Sequence, residues 1–489
     1  MNSALRLRSS LSRFGMPSTH APYLGWTREQ LIERLTKLEA VGSNITKDKV
    51  TKTFDFSKHP RRKIALKFCY SGWEYSGLAY QTGPTPLPTV ENVLFDAMVK
   101  AHLVDPAAGL DGCEWERCGR TDRGVSAAGQ VVSLWVRSQI PSGQQGAPAV
   151  EDKSDALEGN TSISTSKPQK ELDYLVILNR LLPDTIRIIA WSPVSVSFSA
   201  RFSCKYRHYK YFFSSLNLDI SQMETAAAYL LGKHDFRNLC KLDVQRQLTN
   251  FDRKILRASI TPLDDEMHNT KERIYVFDLV GTAFLYHQVR HIMAALFLVG
   301  SGFEQPKIIA ELMNVEEGAE LPHGEGEPYS VISSKPDYQM ADDLPLMLWE
   351  CGYNESELDW RTYERDDGGG GVATRGDLHH QMQGIYVRSR IYSALDQHFL
   401  AAIKVHHPPS FPQGDGVKIL DAPKVEPMKR SVINVPLGGG TFKRLQKYKP
   451  LLERQRLDHV EVMNERWRLG KGLRRDEKRR QTEIENGDE

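Results

Sequence analysis

The segment AFLYHQVRHIMAALFLVG (283–300) constrains the chain more than any other. Its apolar density reads as a buried helix, yet His287, Gln288, Arg290 and His291 interrupt it. A membrane span needs about 18 or more uninterrupted apolar residues, so a transmembrane helix is excluded. The run must instead be enclosed by a folded body. Its Arg290 then sits among Phe284, Leu285, Val289, Ile292, Met293, Leu296 and Phe297. A guanidinium in such company is costly unless it meets a carboxylate or phosphate. Asp122 is a candidate anion; the alternative is an arginine at the wet edge of the helix. His287 and His291 have HxxxH spacing, but the glutamate of a zinc-protease helix and a third ligand are missing, so no metal is expected.

A chain of 489 residues has room for two to four domains. Its mean hydropathy of −0.45 implies that part of it builds no core. Six cysteines in 489 residues are too few for a disulfide scaffold, and none forms a CxxC pair, which argues against a cysteine zinc site. That usage suits a reduced, intracellular protein. Residues 25–40 read as an amphipathic helix capped by Thr27, within an N-terminal extension 1–62. RRKIALKFCY starts a strand, and 89–103 reads as a helix capped by Thr89. GQVVSLWVRS (129–138) alternates as a strand. Residues 139–172 have almost no large apolar side chains and read as a disordered insertion. Helix, turn and strand then follow to 194. The second half, 195–352, repeats the pattern: a strand at 202–213, a helix at 223–232, a hairpin at 253–263 and 273–284, and the buried helix 284–301. Two successive strand–helix–strand units argue for an α+β body. Beyond it, 353–489 carries a loop insertion at 366–377 and a basic tail at about 441–480, read as helical. Residues 421–480 hold 17 Lys and Arg against 8 Asp and Glu, an excess that attracts polyanions or marks a solvated tail.

Two further segments can carry chemistry. In CGRTDRGVSAAGQVV (118–132), Asp122 lies between Arg120 and Arg123 with glycines on either side. Such an Asp either makes a local turn hydrogen bond or is a carboxylate kept ionised by guanidinium groups. In FSARFSCKYRHYKYFF (198–213), Arg201, Lys205, Arg207 and Lys210 interleave with Tyr206, Tyr209 and Tyr211. Cations and rings together suit RNA; an ordinary half-exposed strand is the plainer reading.

Together these segments resemble the TruA family of tRNA pseudouridine synthases, from about 63 to 352. YSGWEYSGLAYQ (70–81) is similar to the family's opening segment, with Ser71 where Asp is usual. GRTDRGVSA (119–127) resembles its catalytic motif. FSARFSCKYRHYKY (198–211) and GTAFLYHQVRHI (281–292) resemble two others, in the right order. HDFRNLCKLD (234–243) and ADDLPLMLWEC (341–351) resemble the eukaryotic branch acting on tRNA positions 38 and 39. The resemblance implies two RRM-like halves joined into one antiparallel sheet around a central catalytic cleft. It makes Asp122 the catalytic carboxylate, Tyr209 the tyrosine stacking on uracil, and Arg290 the partner of Asp122. Arg120, Arg201, Tyr211 and His287 are the expected substrate contacts. It implies tRNA as partner, a second copy of the chain as in bacterial homodimers, and no cofactor, metal or membrane. Residues 284–301 then serve either core or dimer interface.

A non-catalytic RNA-binding protein of the same fold is the rival reading, along with the same chemistry at other tRNA or mRNA positions. A zinc hydrolase is more distant. The resemblance favours cytoplasm and nucleus. Residues 1–28 contain Arg6, Arg8, Arg13 and Arg28 but no acid, which fits a mitochondrial presequence as well as an unstructured start.

Overall fold

The computed structural model describes residues 54–140, 171–263, 273–320, 327–362, 378–407, 432–475 and 477. The helix expected at 25–40 and the loop at 366–377 lie outside these residues, as does the insertion at 139–172 apart from its ends. The body that follows Asp55 is built on a nine-stranded sheet.

The first half alternates as its sequence requires. Strand β1 (Arg61–Tyr70) leads to helix α1 (Val90–Lys100), whose first turn is capped by the Thr89 side chain accepting from the Asn92 amide. A helical turn at 109–112 precedes the short β2 (Glu116–Arg117). Then come β3 (Ser126–Arg137), α2 (Tyr174–Leu181) and β4 (Ile186–Pro193). The second half contains β5 (Tyr206–Ser214), α3 (Ile220–Ala228), β6 (Gly232–Asp235), β7 (Asp252–Pro262) and β8 (Ile274–Gly281). Helices α4 (Gln288–Gly300) and α5 (Ile308–Met313) precede β9 (Leu346–Gly352). Beyond it lie α6 (Leu378–His406), the hairpin β10 (Ile433–Gly438) and β11 (Thr441–Leu445), and α7 (Val460–Trp467). The tail read as helical therefore begins with a hairpin.

The strand order is β4-β1-β3-β9-β5-β8-β7-β6, with β2 also on β3. Neighbours are antiparallel except at the join of the halves. There β3 and β9 run parallel through Ser126 opposite Met347 and Ala127 opposite Leu348. Each half has its own apolar core. One gathers α1 and α2 on β1, β3 and β4; the other gathers α3, α4 and α5 with Val435, Leu451 and Val460 of the C-terminal extension. Every residue of α4 is buried within the chain, so this helix is core. It starts at Gln288, later than its apolar sequence suggests, because His287 adopts a left-handed backbone (φ 57°) that breaks regular winding.

Candidate active site at the join of the halves

Asp122 lies on the loop leading into β3, and that loop is fastened at Gly119, Thr121, Val125 and Ser126. The Tyr70 hydroxyl is 2.6 Å from Thr121 Oγ1, and the Leu78 amide donates to the Thr121 carbonyl. The Gly72 amide donates to Ser126 Oγ at 3.0 Å, and the Gln130 amide group donates to the Gly119 carbonyl at 2.9 Å. The Val125 amide closes the turn on the Asp122 carbonyl. Gly124 has φ 83°, and a Cβ there would meet Asp343 Oδ1 at 2.2 Å. Only glycine tolerates both the backbone and the contact.

The side chain of Asp122 makes no local turn bond. Its Oδ2 lies 3.2 Å from His287 Nε2, and 28 % of the side chain remains exposed. His287 Nδ1 is buried with no protein partner. The His287 ring packs on Tyr286 at 3.8 Å, and Lys241 and Arg246 each approach the Tyr286 ring at 5.4 Å.

Arg290 is buried, and its anion is not the expected one. Its Nη2 pairs with Asp343 Oδ2 at 3.2 Å, and its Nε donates to the Ala341 carbonyl at 2.8 Å. The expected Arg290–Asp122 pair is therefore corrected: Arg290 reaches the loop through Asp343, which covers Gly124. Burial pushes the Asp343 carboxyl above its ordinary range; Arg290 opposes this, while Asp342 and Asp122 add to it. His291, one turn on from His287, is held neutral by burial, its pKa pushed down to about 2. The nearby Lys335 ammonium, 3.1 Å from Nε2, acts in the same direction.

Tyr209 is half-buried and touches both cores, with its ring edge-on to Phe284 at 5.0 Å. Burial raises its phenol well above the ordinary value. Tyr211 is 0 % exposed, and its hydroxyl donates to the Asp342 and Leu437 carbonyls. It has no surface to offer a substrate, so its expected role as a contact is corrected. Two residues along a strand share a face, and here that face runs from the seam beside Phe284 into the core under α4.

Arg120 and Arg201 are exposed. Burial lowers the Arg120 pKa, and the guanidinium groups of Arg117, Arg246 and Arg201 lower it further. Like charges crowded at a rim favour a polyanion. Arg207, read from sequence as a phosphate-facing cation, is used internally. It donates to the carbonyls of Thr282, Cys118 and Arg201, tying three segments together. Sequence reasoning did not assign Asp343, Tyr286 or Arg246. Asp343 lies within the ADDLPLMLWEC segment, which was singled out without a role for its acids.

The fold and this loop define an enzyme-like site at the seam of a two-part sheet. Residues 226–354 match the family described as tRNA pseudouridine synthase. A Saccharomyces cerevisiae protein named tRNA pseudouridine(38/39) synthase is 42 % identical over 370 residues, covering 71 % of this chain and 74 % of the relative. The Homo sapiens protein of that name is 42 % identical over 337 residues, covering 66 % of this chain and 64 % of its own length, just under two thirds. A tRNA pseudouridine synthase A from Methanothrix thermoacetophila is 32 % identical over 300 residues, covering 61 % of this chain and 85 % of the relative. The chain belongs to the tRNA pseudouridine synthase family.

Proposed function

We propose that the protein isomerises uridine to pseudouridine in the tRNA anticodon stem-loop, at positions 38 and 39. The observation that carries this reading is the part-exposed Asp122 carboxylate held by His287 at the seam, with the exposed Arg120 and Arg201 close enough to repel each other. The N1–C1′ bond of uridine breaks, the uracil turns, and C5 bonds to C1′. C5 loses its proton and N1 gains one. The net change is an isomerisation with no electrons gained or lost, so the reaction needs no redox cofactor and no metal. Asp122 acts either by bonding covalently to the nucleotide or by removing the C2′ proton. A deuterium isotope effect at C2′ separates the two. The target must leave its stack, at a cost of about a few kcal/mol. Arg120 and Arg201 at the rim and the Tyr209 ring in the cleft offset that cost. His287 holds the carboxylate in orientation.

Mapping pseudouridine by carbodiimide primer extension in cells lacking the protein tests the whole reading. Signals at 38 and 39 should vanish and return with wild type only, not with Asp122→Asn. Unchanged signals would remove the assignment of positions. Tyr209 offers a finer check. If its ring stacks on uracil, Tyr209→Phe should keep turnover within about tenfold, whereas Tyr209→Ala should lose about 10- to 100-fold, the range of one base–aromatic stack.

The two halves, 63–194 and 195–352, are proposed to be RRM-like units, supported by their separate cores. A homodimer in cytoplasm and nucleus completes the reading. Light scattering tests the first, and a reporter fused to residues 1–28 tests the mitochondrial alternative.

A further inference from the structure

The C-terminal extension is more than a tail, because it reaches the site from two sides. On one side the β10–β11 hairpin is seated by Val435 in the core, and the Leu437 carbonyl accepts from the Asp342 amide at 2.7 Å. Its turn is Gly438-Gly439-Gly440, with φ of 85°, 58° and 74°. A Cβ on Gly438 would meet Tyr211 Oη at 2.2 Å, and one on Gly439 would meet Asp342 Oδ1 at 3.0 Å. The hairpin tip thus presses on Asp342, whose neighbour Asp343 covers the catalytic loop. On the other side, α7 packs on the turn holding Arg246. The Asn464 side chain donates to the Leu248 carbonyl, and the Gln247 side chain donates to the Asn464 carbonyl.

Between these anchors β11 turns outward. Thr441, Phe442, Lys443 and Arg444 are all exposed, Phe442 by 58 %. Phe442 and Arg444 alternate onto one face of the strand, with Lys443 on the other. Among the described residues no carboxylate bridges either cation within 4.0 Å. Residues 432–475 hold 11 Lys and Arg against 4 Asp and Glu. An exposed ring beside unpaired cations, fixed next to a site that takes RNA, is chemistry for a nucleic-acid backbone and an unstacked base.

We propose that β11 is a lip of the substrate cleft, with Lys443 and Arg444 binding phosphates of the tRNA beyond the target nucleotide and Phe442 stacking on a base. This rests on the tRNA reading above. The test uses full-length protein, a tRNA transcript and filter binding across a salt series. Lys443→Ala/Arg444→Ala should weaken binding about tenfold and reduce the slope of log Kd against log salt by about 2, one counterion per lost phosphate contact. Turnover at saturating tRNA should stay at the wild-type value. Phe442→Ala should weaken binding with the slope unchanged, and Lys100→Ala, at the end of α1, should change nothing. Wild-type affinity and slope in the double variant would overturn the proposal, provided thermal melts show it folded. If wild type binds tRNA but forms no pseudouridine, the functional reading fails, while the salt slope still decides the role of β11.

Discussion

Asp122→Asn is expected to lose about 10³-fold or more in pseudouridine formation while binding tRNA with wild-type affinity. The substitution keeps size and hydrogen-bonding shape. The loop around it is fastened through Thr121, Gly119 and Ser126 rather than through the carboxylate. Its fold should therefore survive. What is lost is the negative charge and the lone pair that attack or deprotonate. Tritium release from C5-labelled tRNA measures the first effect and filter binding the second. Retained turnover in the variant would move the chemistry away from Asp122 and favour a binding role for the fold.

The second large effect is expected at Arg290. Arg290→Ala removes the cation facing Asp343 and the donor to the Ala341 carbonyl together. Breaking a fully buried pair costs about 3–5 kcal/mol, but the Asp343 side chain is 38 % exposed and partly screened, so about 2–3 kcal/mol is expected. Urea midpoints at constant slope measure it. Turnover should fall about 100-fold as well, since Asp343 no longer holds down the turn at Gly124 and a displacement near 1 Å is enough. Asp343→Ala should reproduce most of the turnover loss. A direct Arg290–Asp122 pair would instead leave Asp343→Ala nearly silent. Arg290→Lys should fall between, because one ammonium cannot serve both Asp343 and the Ala341 carbonyl.

Local structure was legible where one period or one cap decided it. The alternation of β1 and β3 and the Thr89 cap of α1 appear where the sequence places them. The need of Arg290 for an anion was equally readable, because burial energetics demand it. Which anion it meets was not, because Asp122 and Asp343 are both distant in sequence and only the sheet register brings Asp343 to α4. Tyr209 and Tyr211 show the same limit. Alternation assigns both to one face but says nothing about where the cleft ends and the core begins. His287 hid the start of α4, since apolar neighbours read as helix and the left-handed backbone left no periodic trace. The insertion of β9 between the halves has no local signature, because parallel pairing over such a separation depends on the whole fold.

That insertion orders events during synthesis. β3 is finished early, yet its neighbour β9 leaves the ribosome only as the last strand of the second half. Until then the edge of β3 beside the Asp122 loop stays open, and closing it spans most of the body, a slow kind of contact to form. A nascent chain stalled before Leu346 would carry the Asp122 loop without the strand that joins it to Tyr209. The seam that holds the Asp122 loop against Tyr209 thus closes late in synthesis, after every other strand of the nine-stranded sheet has been made.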